Sequence, residues 1–347
     1  MDMEKAMIAM SGGVDSSVAA YLTAQKGLAC LGGMLLLHGE ADTQDAQAVA
    51  ERLRMPFYTF DCREDFKALV MADLVANYEA GLTPNPCIRC NRYMKFEKLL
   101  EKAQELGCRY VVSGHYSRIR RDDATGRYLL YKAADKSKDQ SYVLYSLTQQ
   151  QLSHLLLPLG EMSKDEVRAI AESQGFINAH KKDSQDICFI PDGDYAAFME
   201  RFTGKNYPGG EYLDLAGKVV GRHQGAVRYT IGQRKGLNLA MGRPVYVCSK
   251  DMSANTVTVG DDKDLYRTGL IAGDANFLPF EELTEPIQVL AKARYRMVEQ
   301  PATVTPLPDG KIQVDFQESQ RALTPGQAVV FYDGDLVVGG ATIEKVL

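Results

Sequence analysis

Seven cysteines, at positions 30, 62, 87, 90, 108, 188 and 248, are the side chains of this sequence best suited to nucleophilic or redox work. Cys87 and Cys90 form a C-x-x-C pair, and Cys188 follows far downstream. Such a pair has three sharp readings: a redox couple, half of a zinc site, or iron–sulfur ligation. Two inert buried thiols are the plain alternative. Pro84, Asn85 and Pro86 beside the pair argue against it, since they fix a loop and do not resemble core. The second chemical feature is Ser11-Gly12-Gly13-Val14-Asp15-Ser16-Ser17. Glycines let backbone approach a ligand, amides at a helix start donate, and the helix dipole favours negative charge. No Gly-Lys-Ser/Thr follows, so this is not a Walker A loop.

These residues need elements to hold them. Ala6 to Met10 reads as a buried strand, and Val18, Ala19, Leu22 and Ala24 as a helix that stops at Gly27. Ala29–Leu37, Phe57–Phe60 and Arg109–Ser113 read as strands, with helices over Asp42–Leu53 and Phe66–Tyr78. This alternation predicts an α/β fold with a parallel sheet and helices on both faces. Ligands of such sheets sit beyond the strand C-termini, so the Ser11 turn, Met34 and Gly114-His115 are expected to share one crevice. The prolines of Thr83–Asn91 predict an ordered loop leading into a helix from about Arg92 to Leu106. A thiol near that helix start is expected to have its pKa lowered from about 8.5. Ser163 to Glu166 is a capping box, closed by Gly175.

From about Asp192 the alternation stops and Gly, Tyr and Val dominate. The division expected is 1–191 for the nucleotide-type domain, 192–262 for a small β-rich centre and 263–347 for a β-barrel. Strands are expected at Val289–Met297, Ala302–Leu307, Ile312–Phe316, Ala328–Tyr332 and Leu336–Val338, with Asp309-Gly310 and Asp333-Gly334 as hairpin turns.

A hydrophobic content of 45% and a charged content of 24% are those of a globular protein. No apolar run spans a bilayer and no signal-peptide pattern opens the chain, so the expected location is cytoplasmic. There an odd number of cysteines does not read as a disulfide scaffold. A net charge of −5 argues against indiscriminate nucleic-acid binding. Basic clusters remain at Arg118, Arg120 and Arg121, at His180, Lys181 and Lys182, and at Arg222, His223, Arg228, Arg234 and Lys235.

The Ser11 turn resembles the pyrophosphate loop, Ser-Gly-Gly-x-Asp-Ser, of the ATP-pyrophosphatase enzymes. Further blocks follow in order: Thr83-Pro84-Asn85-Pro86 with Cys90-Asn91, Ser113-Gly114-His115-Tyr116, and Lys138-Asp139-Gln140-Ser141-Tyr142. Asp183-Ser184 with Ile187-Cys188-Phe189-Ile190, Gly232-Gln233-Arg234-Lys235-Gly236, and Thr324-Pro325-Gly326-Gln327 with Phe331-Tyr332 complete the set. Over essentially its whole length the chain resembles the tRNA-specific 2-thiouridylase family.

That resemblance implies sulfur transfer to C2 of the wobble uridine in tRNAs of the Glu, Gln and Lys type. ATP and magnesium would adenylate the uridine oxygen and release pyrophosphate. Cys188 would carry a persulfide from a donor protein, and Cys90 would resolve it through a transient Cys90–Cys188 disulfide. Ala9, Met10, Ser11, Gly12, Gly13, Val14, Asp15, Ser16, Met34 and Gly114 would contact the nucleotide. Asn85, Pro86 and Cys87 would hold the target base. His115, Lys138, Asp139, Gln140, Gln327 and the strand pair Arg294-Tyr295 would touch tRNA. The familiar pattern has Asp where this chain has Cys87, which opens an alternative: Cys87, Cys90 and Cys188 as ligands of a [4Fe–4S] cluster carrying a hydrosulfide. The chain is also short between Leu37 and Glu51. Another ATP-pyrophosphatase would lack the Cys90 and Cys188 blocks, and a bare RNA-binding module would not need the glycine turn.

Overall fold

The computed structural model describes residues 3–39, 42–181 and 187–347. Its first sheet is wholly parallel. β1 (Lys5–Ala9) lies at the centre, with β2 (Ala29–Leu36) and β3 (Phe57–Asp61) on one side. β4 (Tyr110–Val112) and β7 (Leu155–Leu156) lie on the other, giving the order β3-β2-β1-β4-β7. The direction of the chain across the sheet reverses between β1 and β4, which is where a crevice opens beyond the strand ends. Alternating residues of β1 face opposite ways. Met7 packs with Leu99, Leu100 and Val111, while Ala6 and Ile8 pack with Val18, Ala19 and Val167.

Between β4 and β7 the chain makes a hairpin of β5 (Ser117–Arg121) and β6 (Tyr128–Lys132). Its first strand, SRIRR, carries too much charge to read as a strand from pattern alone. The hairpin leaves the parallel sheet and pairs with the C-terminal domain, Tyr131 opposite Leu336.

A four-stranded central sheet follows, made of β8 (Gly210–Leu213), β9 (Val219–His223), β10 (Tyr246–Asp251) and β11 (Thr256–Gly260). The C-terminal strands are β12 (Tyr266–Phe277), β13 (Ile287–Lys292), β14 (Gln300–Pro306), β15 (Ile312–Arg321), β16 (Ala328–Asp333) and β17 (Leu336–Val346). They run in the order β12-β15-β14-β13-β16-β17 and close, because β17 also pairs with β12. The expected barrel is therefore a closed six-stranded one. β17 runs well beyond Val338. Gly339 and Gly340 break the apolar pattern there because a Cβ would meet the Asn276 carbonyl and the Tyr145 ring at 2.3 and 2.6 Å.

Two boundaries correct the sequence reading. The helix expected from Arg92 starts at Pro86 and runs through residues 86–105. Proline is tolerated in a first turn, and the Asn85 side chain caps it by accepting from the Cys87 amide at 3.1 Å. Strand β13 ends at Lys292, so Arg294 and Tyr295 lie in a turn closed by Met297 N–H to the Arg294 carbonyl, 3.1 Å.

The barrel also clasps the Asn85 loop. Thr83 N–H donates to the Pro325 carbonyl at 2.9 Å and Gln327 Nε2 donates to the Thr83 carbonyl at 2.6 Å. Gly326 has φ +89°, and a Cβ there would stand 2.7 Å from the Thr83 nitrogen. Gly326→Ala is expected to destabilise the fold by about 1–3 kcal/mol through overpacking and a strained φ. A lowered midpoint in a thermal melt checks it; an unchanged midpoint contradicts the clasp.

Candidate active site

The glycine turn connects β1 to the helix Val14–Gln25. Gly12 adopts φ +70°, and Gly13 at the helix start brings no side-chain cap. The first-turn amides are thus left open toward an anion. Hydroxyls brace the turn. Ser16 Oγ and Ser17 Oγ each donate to the Gly13 carbonyl at 3.0 Å, and the Ser11 amide donates to Ser16 Oγ at 3.3 Å. Ala9 and Met10 end the strand, and the Met10 amide bonds the Gly33 carbonyl, tying Met34's strand to the turn. Gly114 reaches the crevice from β4. A Cβ there would lie 2.7–2.9 Å from backbone atoms of Asp15 and Ser16, so only glycine lets the end of β4 meet the start of the helix Val14–Gln25.

Three residues around the turn are not among the site residues read from the sequence. Lys164, buried at the start of the helix Lys164–Ser173, holds both Asp15 carboxylate oxygens at 2.8 Å. Tyr116 donates its hydroxyl to Asp15 Oδ1, also at 2.8 Å. Asn178 donates Nδ2 to the Gly12 carbonyl and Ser17 Oγ, while its buried Oδ1 has no partner among the described residues. Lys164 sits inside the capping box, which reads from sequence only as a helix start. The box itself forms, with Ser163 N–H to Glu166 Oε2 at 2.8 Å.

The thiols converge on the same side. Cys87 and Cys90 occupy the first turns of the helix 86–105, Cys90 buried and Cys87 exposed. Cys188 is exposed, but its neighbour Phe189 packs in one cluster with Cys90, Met94 and Phe66. The Phe66 and Phe189 rings meet edge to face at 5.3 Å, and His38 closes over both. Cys90 lies close enough to both Cys87 and Cys188 to interact electrostatically with each. Asp183 and Ser184 lie outside the described residues, as does Lys182.

The thiol pKa values correct the expectation from the helix start. Burial pushes Cys90 up to about 11, and the protein packed around the sulfurs of Cys87 and Cys188 raises theirs as well although both residues reach solvent, against the weaker opposing pull of Lys95. Desolvation of a thiolate here outweighs one nearby ammonium and the helix dipole. No group of three His, Cys, Asp or Glu side chains among the described residues is disposed to hold a single metal ion.

His115 follows Gly114 and bridges to the thiol side. It shares a 2.6 Å hydrogen bond with Ser113 Oγ and packs edge-on to Phe96 at 5.5 Å. Burial holds its pKa down to about 3, which keeps the imidazole neutral. The remaining candidates are largely used inside the protein. Asp139 accepts from the Ala133 amide and Ser141 hydroxyl, and Gln140 Oε1 accepts from the Tyr116 amide. Arg294 reaches the Ile231 carbonyl and Thr324, joining centre to barrel. Tyr295 is 41% exposed, with its hydroxyl on the Asp139 carbonyl at 3.2 Å. Beside it lies a cavity of about 600 Å³ that brings Lys132, Lys136, Lys292 and Arg296 together with Lys138's loop. Of the basic clusters read from sequence, Arg118 and Arg120 pair with acids, as do Lys181 and Arg228. Lys132 and Lys136 of the cavity are paired too, with Glu299 and Asp335, and Asp139 and Glu299 share its lining; its excess of cations comes from residues distant in sequence that include Lys292 and Arg296.

A parallel-sheet domain with a pyrophosphate-type turn, and with three neighbouring thiols, defines a nucleotide-dependent enzyme of sulfur chemistry. Residues 4–192 match a family model described as a tRNA methyl transferase HUP domain, 196–261 the PRC-barrel domain of that series, and 267–343 an aminomethyltransferase β-barrel domain. The chain is 45% identical over 357 residues to the tRNA-specific 2-thiouridylase MnmA of Clostridioides difficile, covering 99% of both. It is 44% identical to that of Acetivibrio thermocellus over 99% of this chain and 100% of the relative. To that of Carboxydothermus hydrogenoformans it is 45% identical, over 99% and 98%. The chain belongs to the tRNA-specific 2-thiouridylase family.

Proposed function

We propose that this protein is a cytoplasmic tRNA-uridine 2-sulfurtransferase. The observation that carries the reading is the joining of glycine turn and thiol pocket through Gly114-His115 and Phe96. The amides of Ser11 to Ser16, with Ala9, Met10, Met34 and Gly114, take the ATP. Asp15 is the carboxylate at the turn; a magnesium ion arriving with the triphosphate would neutralise phosphate charge there. The C2 oxygen of the target uridine attacks the α-phosphorus, pyrophosphate leaves, and AMP becomes the leaving group on C2. Asn85, Pro86 and Cys87 hold the base. Lys138 and Tyr295, beside the cationic cavity, receive the RNA backbone, whereas Asp139, Gln140, Arg294 and Gln327 shape that surface from within.

A Cys188 persulfide, loaded by a sulfur-donor protein, then attacks C2 through its terminal sulfur, and the C2–O bond to AMP breaks. Cys90 thiolate attacks Cys188 Sγ. The S–S bond to the tRNA breaks, 2-thiouridine leaves, and a Cys90–Cys188 disulfide remains for an external dithiol to reduce. Cys87 in place of the family's Asp supports a second reading, in which the three thiols hold a [4Fe–4S] cluster. Iron and acid-labile sulfide in anaerobically purified protein separate the two; the persulfide route predicts neither.

The test of the function is a burst of pyrophosphate from ATP that appears only with unmodified tRNA, together with 2-thiouridine in digested tRNA when a sulfur source is present. A small-molecule ligase gives pyrophosphate without tRNA, and a binding module gives none.

A further inference from the structure

Lys95 is not part of any motif recognised in the sequence, yet it stands where the two halves of the site meet. It lies on the helix 86–105 between Met94, which packs with Cys90 and Phe189, and Phe96, which packs on His115. Its position depends on an unusual winding. Over Cys90–Lys98 the helix is π-wound, with hydrogen bonds from i to i+5. In an α-helix a residue five positions on from Cys90 would lie about 140° round the axis. With i to i+5 winding it comes back toward the Cys90 side of the axis, and such segments recur at functional sites. Lys95 is half-buried, and no hydrogen bond or ion pair to it is found among the described residues. Its charge is felt at Cys87, Cys90, Cys188 and His115.

We propose that Lys95 is a catalytic cation of the sulfur-transfer step, turned into the pocket by the π-wound segment to neutralise the anionic sulfur and the phosphate of the departing AMP. The proposal rests on the function inferred above. An unpaired ammonium at the junction is arranged before the reaction and gains most when sulfur and leaving phosphate share the pocket. Adenylation, which occurs at the glycine turn, does not require it.

Lys95→Gln and Lys95→Arg are compared in single turnovers with ATP and tRNA, using enzyme whose Cys188 has first been loaded with a persulfide by a persulfide-bearing donor protein. Lys95→Gln is expected to keep its tRNA-dependent pyrophosphate burst and thermal midpoint while 2-thiouridine formation falls ~10²-fold. Lys95→Arg should recover much of that loss, which mere packing would not explain. Unchanged thiolation in Lys95→Gln overturns the proposal, as does a pyrophosphate burst that falls by the same factor. If the parent enzyme itself gives no tRNA-dependent burst, the function fails and not the role of Lys95 alone.

Discussion

Cys188→Ser is expected to abolish 2-thiouridine formation, a loss of at least ~10³-fold, while leaving the tRNA-dependent pyrophosphate burst near the parent value. The reason is chemical. A serine oxygen cannot hold the terminal sulfur of a persulfide, and the other exposed thiol among the described residues, Cys87, lies on the helix 86–105 and not beside Phe189. The glycine turn is untouched, since Cys188 makes none of the hydrogen bonds that brace it. Cys90→Ser separates the roles further. It should allow one sulfur transfer to begin and then stall with tRNA linked through sulfur to Cys188. Burial raises the Cys90 thiol pKa to about 11, so the step in which its thiolate attacks Cys188 should quicken as pH rises from 7 to 9, where more thiolate forms. Thiolation that persists in Cys188→Ser removes that residue from the sulfur path.

Gly114→Ala should fail at the other end of the reaction. The added Cβ would meet the Asp15 carbonyl carbon at 2.7 Å and the Ser16 nitrogen at 2.8 Å. These are backbone atoms at a helix start, so the strain cannot be relieved by turning a side chain. Either β4 or the phosphate turn must move. Overpacking of this kind costs about 1–3 kcal/mol in stability. The larger effect is functional: displacing the donors by about 1 Å should lower pyrophosphate release ~10²-fold. Thiolation falls with it, because no adenylated base is made. Equilibrium nucleotide binding measured alongside a thermal melt distinguishes a misplaced turn from an unfolded one. A normal burst in Gly114→Ala contradicts the close packing.

The two chemical centres were legible in the sequence for different reasons. The turn was visible because its chemistry is local: Ser11 to Ser17 brings glycines, hydroxyls and a helix start together in one short stretch. The alternation of strands and helices located Met34 and Gly114 at the same edge. The start of the helix at Pro86 was not legible, because a proline that opens a helix and one that forbids it look alike until the Asn85 cap is seen. The thiol pKa values went the other way from expectation because burial depends on Phe189 and Met94, which come from separate segments. Lys164, Tyr116 and Asn178 meet around Asp15 and Gly12 from far along the chain, and no short window contains them. Charge patterning misled in the same way. Arg118 and Arg120 pair with acids, while Lys132 of β6, itself paired with Glu299, meets Lys292 and Arg296 only in the fold.

The central claim is that a uridine oxygen leaves as part of AMP. An anticodon stem-loop carrying oxygen-18 at C2 of its wobble uridine tests this directly, with unlabelled ATP and a sulfur source in ordinary water. One labelled oxygen in AMP for each 2-thiouridine formed is the predicted result. AMP without label, alongside normal thiolation, would show that ATP is cleaved by water and that the base is never adenylated.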